Sequence, residues 1–144
     1  MCRALRPVKL NVERVLRGVG RLWSLTRGKM CVVDVELLVV PDCPNEFGAL
    51  SVLRSALERV GLTAQSVRIT VIVSWEQAQE RGFVGSPTIL IDGVDPFDVL
   101  GQGPAVACRV YVTAEGLMGV PPLGDVVTAL TAARDRDRGL VSPD

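Results

Sequence analysis

Histidine is absent from all 144 residues. That absence excludes a His-ligated metal centre and every catalytic triad built on imidazole. Cysteine is scarce: the four stand at 2, 31, 43 and 108, and no two form a Cys-x-x-Cys pair. Their spacing matches no structural zinc pattern, and they are too few for a secreted disulfide scaffold. No uncharged apolar run reaches the roughly 18 residues that a membrane span needs. A phosphate loop is also missing, because Gly101-Gln102-Gly103-Pro104 lacks both a downstream glycine and a following helix. The N-terminus is basic but has no apolar run of about 7–15 residues and no small-residue cleavage site, which argues against a secretory signal. The expected location is therefore the cytoplasm, with thiols reduced. No cofactor and no bound metal are expected.

What is present is an apolar chain of zero net charge, 48% hydrophobic with few aromatics. Its length suits one domain with a real core and is too short for two. The zero charge conceals an asymmetry, since residues 1–29 carry +7 and the remainder −7. At helical spacing, Val12, Val15, Leu16, Val19, Leu22 and Trp23 share one face, opposite Arg14, Arg17 and Arg21. Gly18 and Gly20 weaken that helix by roughly 1 kcal/mol each. Three readings stand for this segment: a membrane-surface or partner helix, a leader preceding a natural start at Met30, and a loosely docked extension. The domain plan is a basic extension over 1–31, a domain over 32–138 and a tail over 139–144. Beyond the basic extension, nothing suggests nucleic acid as a partner.

From Val32 the pattern becomes regular. Val32 to Val40 reads as a strand buried on both faces. Pro44 suits a helix first turn, and Asn45 to Val60 reads as a helix with a buried stripe at Phe47, Leu50, Leu53, Leu57 and Val60. Ser66 to Val73 is a second strand, and Ser74-Trp75-Glu76-Gln77 is a capping box for a short helix ending at Gly82. Pro87 to Ile91 is a third strand, closed by the turn signal Asp92-Gly93. A long Gly/Pro-rich loop spans Val94 to Ala107. Cys108 to Val112 reads as a fourth strand, antiparallel to the third. After Pro121-Pro122 comes a helix with Leu123, Val126, Val127, Leu130 and Ala133 on one face, and Arg134 to Arg138 reads as frayed tail. The order is β-α-β-α-β-β-α, an α/β domain with a four-stranded mixed sheet flanked by helices.

Two short segments carry the chemistry. Asp42-Cys43-Pro44-Asn45 delivers a cysteine from the end of a strand to the start of a helix, where unpaired N–H groups and the helix dipole favour a thiolate. Asp42 and Glu46 oppose that effect as nearby carboxylates. The competing reading of Cys43 is a small buried hydrophobe. The other segment is Gly85-Ser86-Pro87-Thr88, leading into Ile89-Leu90-Ile91. Cys108 is the candidate second thiol, against a core-facing cysteine in a strand. Asp92 and Asp95 read as turn formers.

These motifs, with Val35-Glu36-Leu37-Leu38 before them and Cys108-Arg109-Val110-Tyr111 after, resemble the thioredoxin-like superfamily over roughly residues 32–134. More narrowly, they look like those of a group of small bacterial thioredoxin-like proteins often labelled alkylmercury lyase. The resemblance implies a thioredoxin-like fold and a cis Pro87 facing Cys43. It also implies that Pro44, Ser86, Pro87 and Thr88 position an extended peptide or small thiol beside Cys43. The chain departs from the thioredoxin pattern at Glu46, which stands where the second cysteine would be. The activity implied is thiol–disulfide chemistry by Cys43, with Cys108 or an external thiol completing the exchange and protein or low-molecular-weight thiols as partners. One alternative is organomercurial lyase chemistry by Cys43, Cys108 and an acid, Asp95 or Asp42, although the established lyases are longer and carry a further domain. The other is a non-catalytic binding module on the same fold.

Overall fold

A run of branched residues can sit in the middle of a sheet only if both of its faces are covered. Val35–Val39 (β1) is such a run, buried at all five positions. The structure, a computed structural model, describes residues 32–139. The readings made for residues 1–31 and 140–144, including the helix at 11–23 and Cys2 and Cys31, lie outside the described residues.

β1 is followed by α1 (Glu46–Arg59), β2 (Val67–Val71), α2 (Trp75–Arg81), β3 (Thr88–Ile91), β4 (Tyr111–Thr113), β5 (Gly116–Met118) and α3 (Leu123–Gly139). The result is a mixed α/β architecture with a three-stranded sheet of order β2-β1-β3 and a separate β4-β5 hairpin. β2 runs parallel to β1, and β3 runs antiparallel to it with Leu37 opposite Ile89 and Glu36 opposite Leu90. The pleat sends alternate residues to opposite faces. Val35, Leu37, Val39, Ile89 and Ile91 meet α1 and α3, whereas Leu38 and Leu90 meet Ile72, Ala78 and Phe83 beside α2.

The fourth strand expected over 108–112 does not join this sheet. Ser86 and Cys108 form a single bridge, parallel rather than antiparallel, and the chain then leaves to make β4. Other groups fill the edge that a fourth strand would need. Val94 folds back to exchange two backbone hydrogen bonds with Ile91, and the Tyr111 hydroxyl donates to Pro87 O at 2.5 Å.

α1 buries Ala49, Leu53, Ala56 and Leu57 against β1 and α3. Phe47, expected on that stripe, is 81% exposed, and Leu50 is half-buried. Phe47 lies two residues, or about 200° of helix rotation, from Ala49. It therefore shares the outer side with exposed Ser51 and Arg54. α3 answers with Val126, Leu130 and Ala133. Each large aliphatic side chain so buried contributes about 1.5–3 kcal/mol.

The tail expected at Arg134 to Arg138 is helical instead, because α3 continues to Gly139. Arg134 Nη1 donates to Val60 O at 2.9 Å, placing a cation on a terminal carbonyl of α1. At α2, the Ser74 side chain accepts from Gln77 N–H, while Gln77 Oε1 accepts from Val73 N–H, one residue before the cap. No described helix is long and apolar enough to cross a membrane.

Candidate functional site

The Cys43 turn and the Pro87 turn are joined by one hydrogen bond. Val40 N–H, just beyond β1, donates to Ser86 Oγ at 3.0 Å, and Ser86 is fully buried. Three residues after Val40 comes Cys43, reached through Asp42 in the left-handed region at φ 55°. Aspartate tolerates that conformation better than most non-glycine residues, which suits it to the sharp reversal there. The Ser86–Pro87 peptide bond is cis.

Cys43 stands two residues before the α1 N-cap, Asn45, and its own carbonyl accepts Glu46 N–H at 3.2 Å. Pro44 thus lies in the turn before the helix, not in its first turn. Cys43 is 8% exposed and packs with the α1–α3 core cluster. The Asn45 side chain lies against Gly119, so the linker between β5 and α3 borders the same turn.

Cys108 takes the other setting. Its backbone bridges Ser86, its residue is exposed, and it is a free thiol, as is Cys43. The core-facing reading of Cys108 does not hold, because its successor turns inward instead. Arg109 Nη1 reaches Asp95 Oδ2 at 2.6 Å and Thr88 Oγ1 at 3.2 Å, while Nη2 donates to Phe97 O at 2.6 Å. Its guanidinium carbon also lies 4.7 Å from the centre of the Tyr111 ring, whose edge-to-face partner is Phe97. Thr88 Oγ1 donates in turn to Gly85 O at 2.6 Å. Ser86, Pro87 and Thr88 are therefore each held from behind by residues 105–111.

Asp95 is both a turn former and an ion-pair partner. Its Oδ1 accepts Phe97 N–H at 2.8 Å, and its Oδ2 is taken by Arg109. With both oxygens engaged, it is poorly placed as a proton donor. Asp92, at φ 52°, forms its turn and accepts Asp34 N–H.

Sequence reasoning gave no chemical role to the two most consequential charges. One is Arg109. The other is Glu36, the second residue of β1 and buried, with Oε1 accepting from Thr70 Oγ1 at 2.6 Å and Oε2 from Arg81 Nη2 at 2.6 Å. Burial pushes the Glu36 carboxyl up. The hydrogen bonds from Thr70 and Arg81, with the charges of Arg81 and Arg68, together outweigh burial and hold it below its ordinary value. The available signal was a single charge inside an apolar run, in Val-Glu-Leu-Leu-Val and again in Cys-Arg-Val-Tyr. Among the described residues, no three His, Cys, Asp or Glu side chains gather closely enough to hold a metal ion.

No protein-family model matches the chain, and comparison with curated proteins and with solved structures finds no similar protein either.

Proposed function

We propose that residues 32–139 form a thioredoxin-like domain in which Cys43 carries thiol–disulfide exchange. The observation that carries this reading is the Val40 to Ser86 hydrogen bond, which ties the strand end preceding Cys43 to the turn at Pro87. The parallel β1-α1-β2 unit and the antiparallel β3 that follows support it.

In the reaction, the Cys43 thiol loses its proton to solvent and its thiolate attacks one sulfur of a partner's disulfide. A Cys43–partner S–S bond forms as the original S–S bond breaks, and the departing sulfur leaves as a thiolate that takes up a proton. A second thiol then attacks Cys43 Sγ, releasing the partner's remaining sulfur as a thiol. If that second thiol is Cys108, the protein ends oxidised and the partner reduced. If it is a low-molecular-weight thiol, that molecule stays on Cys43 until a further thiol displaces it as a disulfide. Glu46 stands where a neighbouring resolving cysteine would be, so the resolving thiol comes from farther away in the chain or from solution.

The test is treatment of the reduced protein with glutathione disulfide, followed by peptide mapping in a mass spectrometer. A glutathionyl group on Cys43, or a Cys43–Cys108 link, is expected. Modification at the other cysteines with Cys43 left as a thiol would sink the reading.

The burial of Cys43 among α1 and α3 side chains favours a second reading, a non-catalytic binding module. Under it, replacing Cys43 by serine leaves the protein's cellular role intact.

A further inference from the structure

The two edges of the main sheet are finished differently. Along β3, Val94 folds back onto Ile91, and Ala107 and Arg109 take both main-chain groups of Ser86. β2 is the other outermost strand, and no described strand continues the sheet beyond it. Ile72 N–H donates to Val39 O at 2.7 Å, so the even-numbered positions of this stretch turn their main-chain groups toward β1. Val67, Ile69 and Val71 therefore turn theirs outward. Val73, on the same side, gives its N–H to Gln77 Oε1 at 2.9 Å, which closes that end of the edge.

The side chains repeat the contrast. Ile69, Val71 and Val73 are 42%, 48% and 62% exposed, on the face of the sheet that carries Leu37 and Val39. An open edge is ordinarily guarded by proline, a bulge or lysine. β2 has none of these, and its single charge, Arg68, is held by Asp34 through hydrogen bonds of 2.8 and 3.0 Å. A branched and unguarded edge strand is a surface for pairing.

The order of residues selects the occupant. Val67-Arg68-Ile69-Thr70-Val71 reads as branched, polar, branched, polar, branched in either direction. Two copies related by a two-fold axis at Ile69 lie antiparallel, with Ile69 opposite Ile69, Val67 opposite Val71 and Arg68 opposite Thr70. Every apolar side chain then faces an apolar one, and no like charges meet. The outward main-chain groups belong to the same odd positions, so the pairs 69–69 and 67–71 each exchange both of their hydrogen bonds. An axis at Thr70 would instead set Arg68 against Ile72, and Val67 against Val73, whose N–H is already taken.

We propose, independently of the chemistry assigned to Cys43, that β2 pairs with β2 of a second copy of this chain, joining two sheets into one. A contact between five-residue strands is small beside the roughly 800 Å² per partner of a standard interface, so the dimer should come apart on dilution.

Sedimentation velocity of the full chain under reducing conditions, over about 1–200 µM, should show monomer passing to dimer. Ile69→Lys sets like charges face to face on the axis and should weaken association at least about tenfold. Its far-ultraviolet dichroism should stay unchanged, because the site is open to solvent in the monomer. Ile69→Cys tests the register. Hydrogen-bonded antiparallel partners stand about 5.5 Å apart at Cα, within disulfide range, so oxidation by diamide should link position 69 to its twin in peptide maps. Val73 is more exposed but falls opposite Gln65 in this register, about 27 Å from its twin, so Val73→Cys should not link. A parent that stays monomeric throughout, association unchanged in Ile69→Lys, or equal linking at 69 and 73 would overturn the pairing. So would a monomer whose Ile69 amide exchanges slowly, which would assign the edge to another segment of the same chain.

Discussion

Arg109 Nη1 and Asp95 Oδ2 meet at 2.6 Å with both side chains almost sealed from solvent, 4% and 9% exposed. The pair fixes the 94–109 loop against β3, because Arg109 spends separate guanidinium nitrogens on Asp95 and Thr88 and on Phe97 O. Removing one partner strands a buried charge. Arg109→Met should cost about 3–5 kcal/mol in urea denaturation. Lysine cannot reproduce the planar fork, so Arg109→Lys should also destabilise. The double change Arg109→Met with Asp95→Leu should recover part of the loss, and a double-mutant cycle reads the coupling directly. Single changes costing less than about 1 kcal/mol would mean that the pair is hydrated in solution.

Gly85 gives a sharper steric test. Its φ is 139°, and an added Cβ would meet Arg109 Cα at 3.2 Å as well as Arg109 Cβ at 2.9 Å. Backbone cannot step aside as a surface side chain can. Gly85→Ala should therefore destabilise by about 1–3 kcal/mol through overpacking and backbone strain together. Gly61→Ala is the control: φ is 76° there, with no atom within 4 Å of the new carbon, so the conformational cost acts alone. Thermal unfolding of the two variants should rank Gly85→Ala well below Gly61→Ala, and equal melting points would contradict the close approach of Arg109 to Gly85.

Glu36 makes the fold sensitive to acid. Its carboxyl is held below the ordinary value of 4.5, since burial, which raises it, is outweighed by Thr70, Arg81 and Arg68. A carboxyl depressed by folding contributes stability that is full above its unfolded value and is lost as pH falls through the folded one. Stability measured by urea midpoint should accordingly drop between about pH 5 and pH 3. In Glu36→Gln that drop should be shallower, and stability at neutral pH lower by about 1–3 kcal/mol as the buried charge-assisted bonds are lost. Parallel pH curves for the two proteins would remove Glu36 from the account.

What could be read in advance follows from the range of each interaction. Leu53 and Leu57, the Ser74 cap and the Val35–Val39 run are local patterns, and they appear where periodicity placed them. Phe47 failed because it does not share the period of the buried face: it lies about 200° of helix rotation from Ala49, on the outer side with Ser51 and Arg54. Glu36 was opaque for another reason: its partners Thr70 and Arg81 come from other elements, 34 and 45 positions away. The path of residues 94–109 has no period at all. Its course is set by Arg109, whose lone charge in Cys-Arg-Val-Tyr does not name its partners, and by backbone bonds to Phe83 and Ser86, which leave no mark in the order of residues. In the candidate site, Cys43 was singled out by turn chemistry and Ser86 and Pro87 by the family resemblance, whereas residues 105–107, which lie beside Phe83 and Ser86, were read as loop and Cys108 to Val112 as a strand of the sheet.

Tyr111 offers the most direct reading of that packing, because it is the chain's single tyrosine. Its hydroxyl donates to Pro87 O, and burial, seconded by the Asp95 carboxylate, raises its ionisation far above the usual 10 against the opposing charge and hydrogen bond of Arg109. Phenolate absorbance at constant fold should therefore fail to appear near pH 10, where a free tyrosine titrates. A group whose pKa is raised by folding contributes stability that is full below the unfolded value and fades as pH climbs past it. The native protein should thus lose stability above about pH 10 and show phenolate only as its far-ultraviolet dichroism collapses. Tyr111→Phe abolishes that alkaline dependence and costs about 1–3 kcal/mol at neutral pH, since the Pro87 carbonyl is left unpaired. An ordinary titration in the folded protein would place the hydroxyl in water and detach Tyr111 from the turn that carries Pro87.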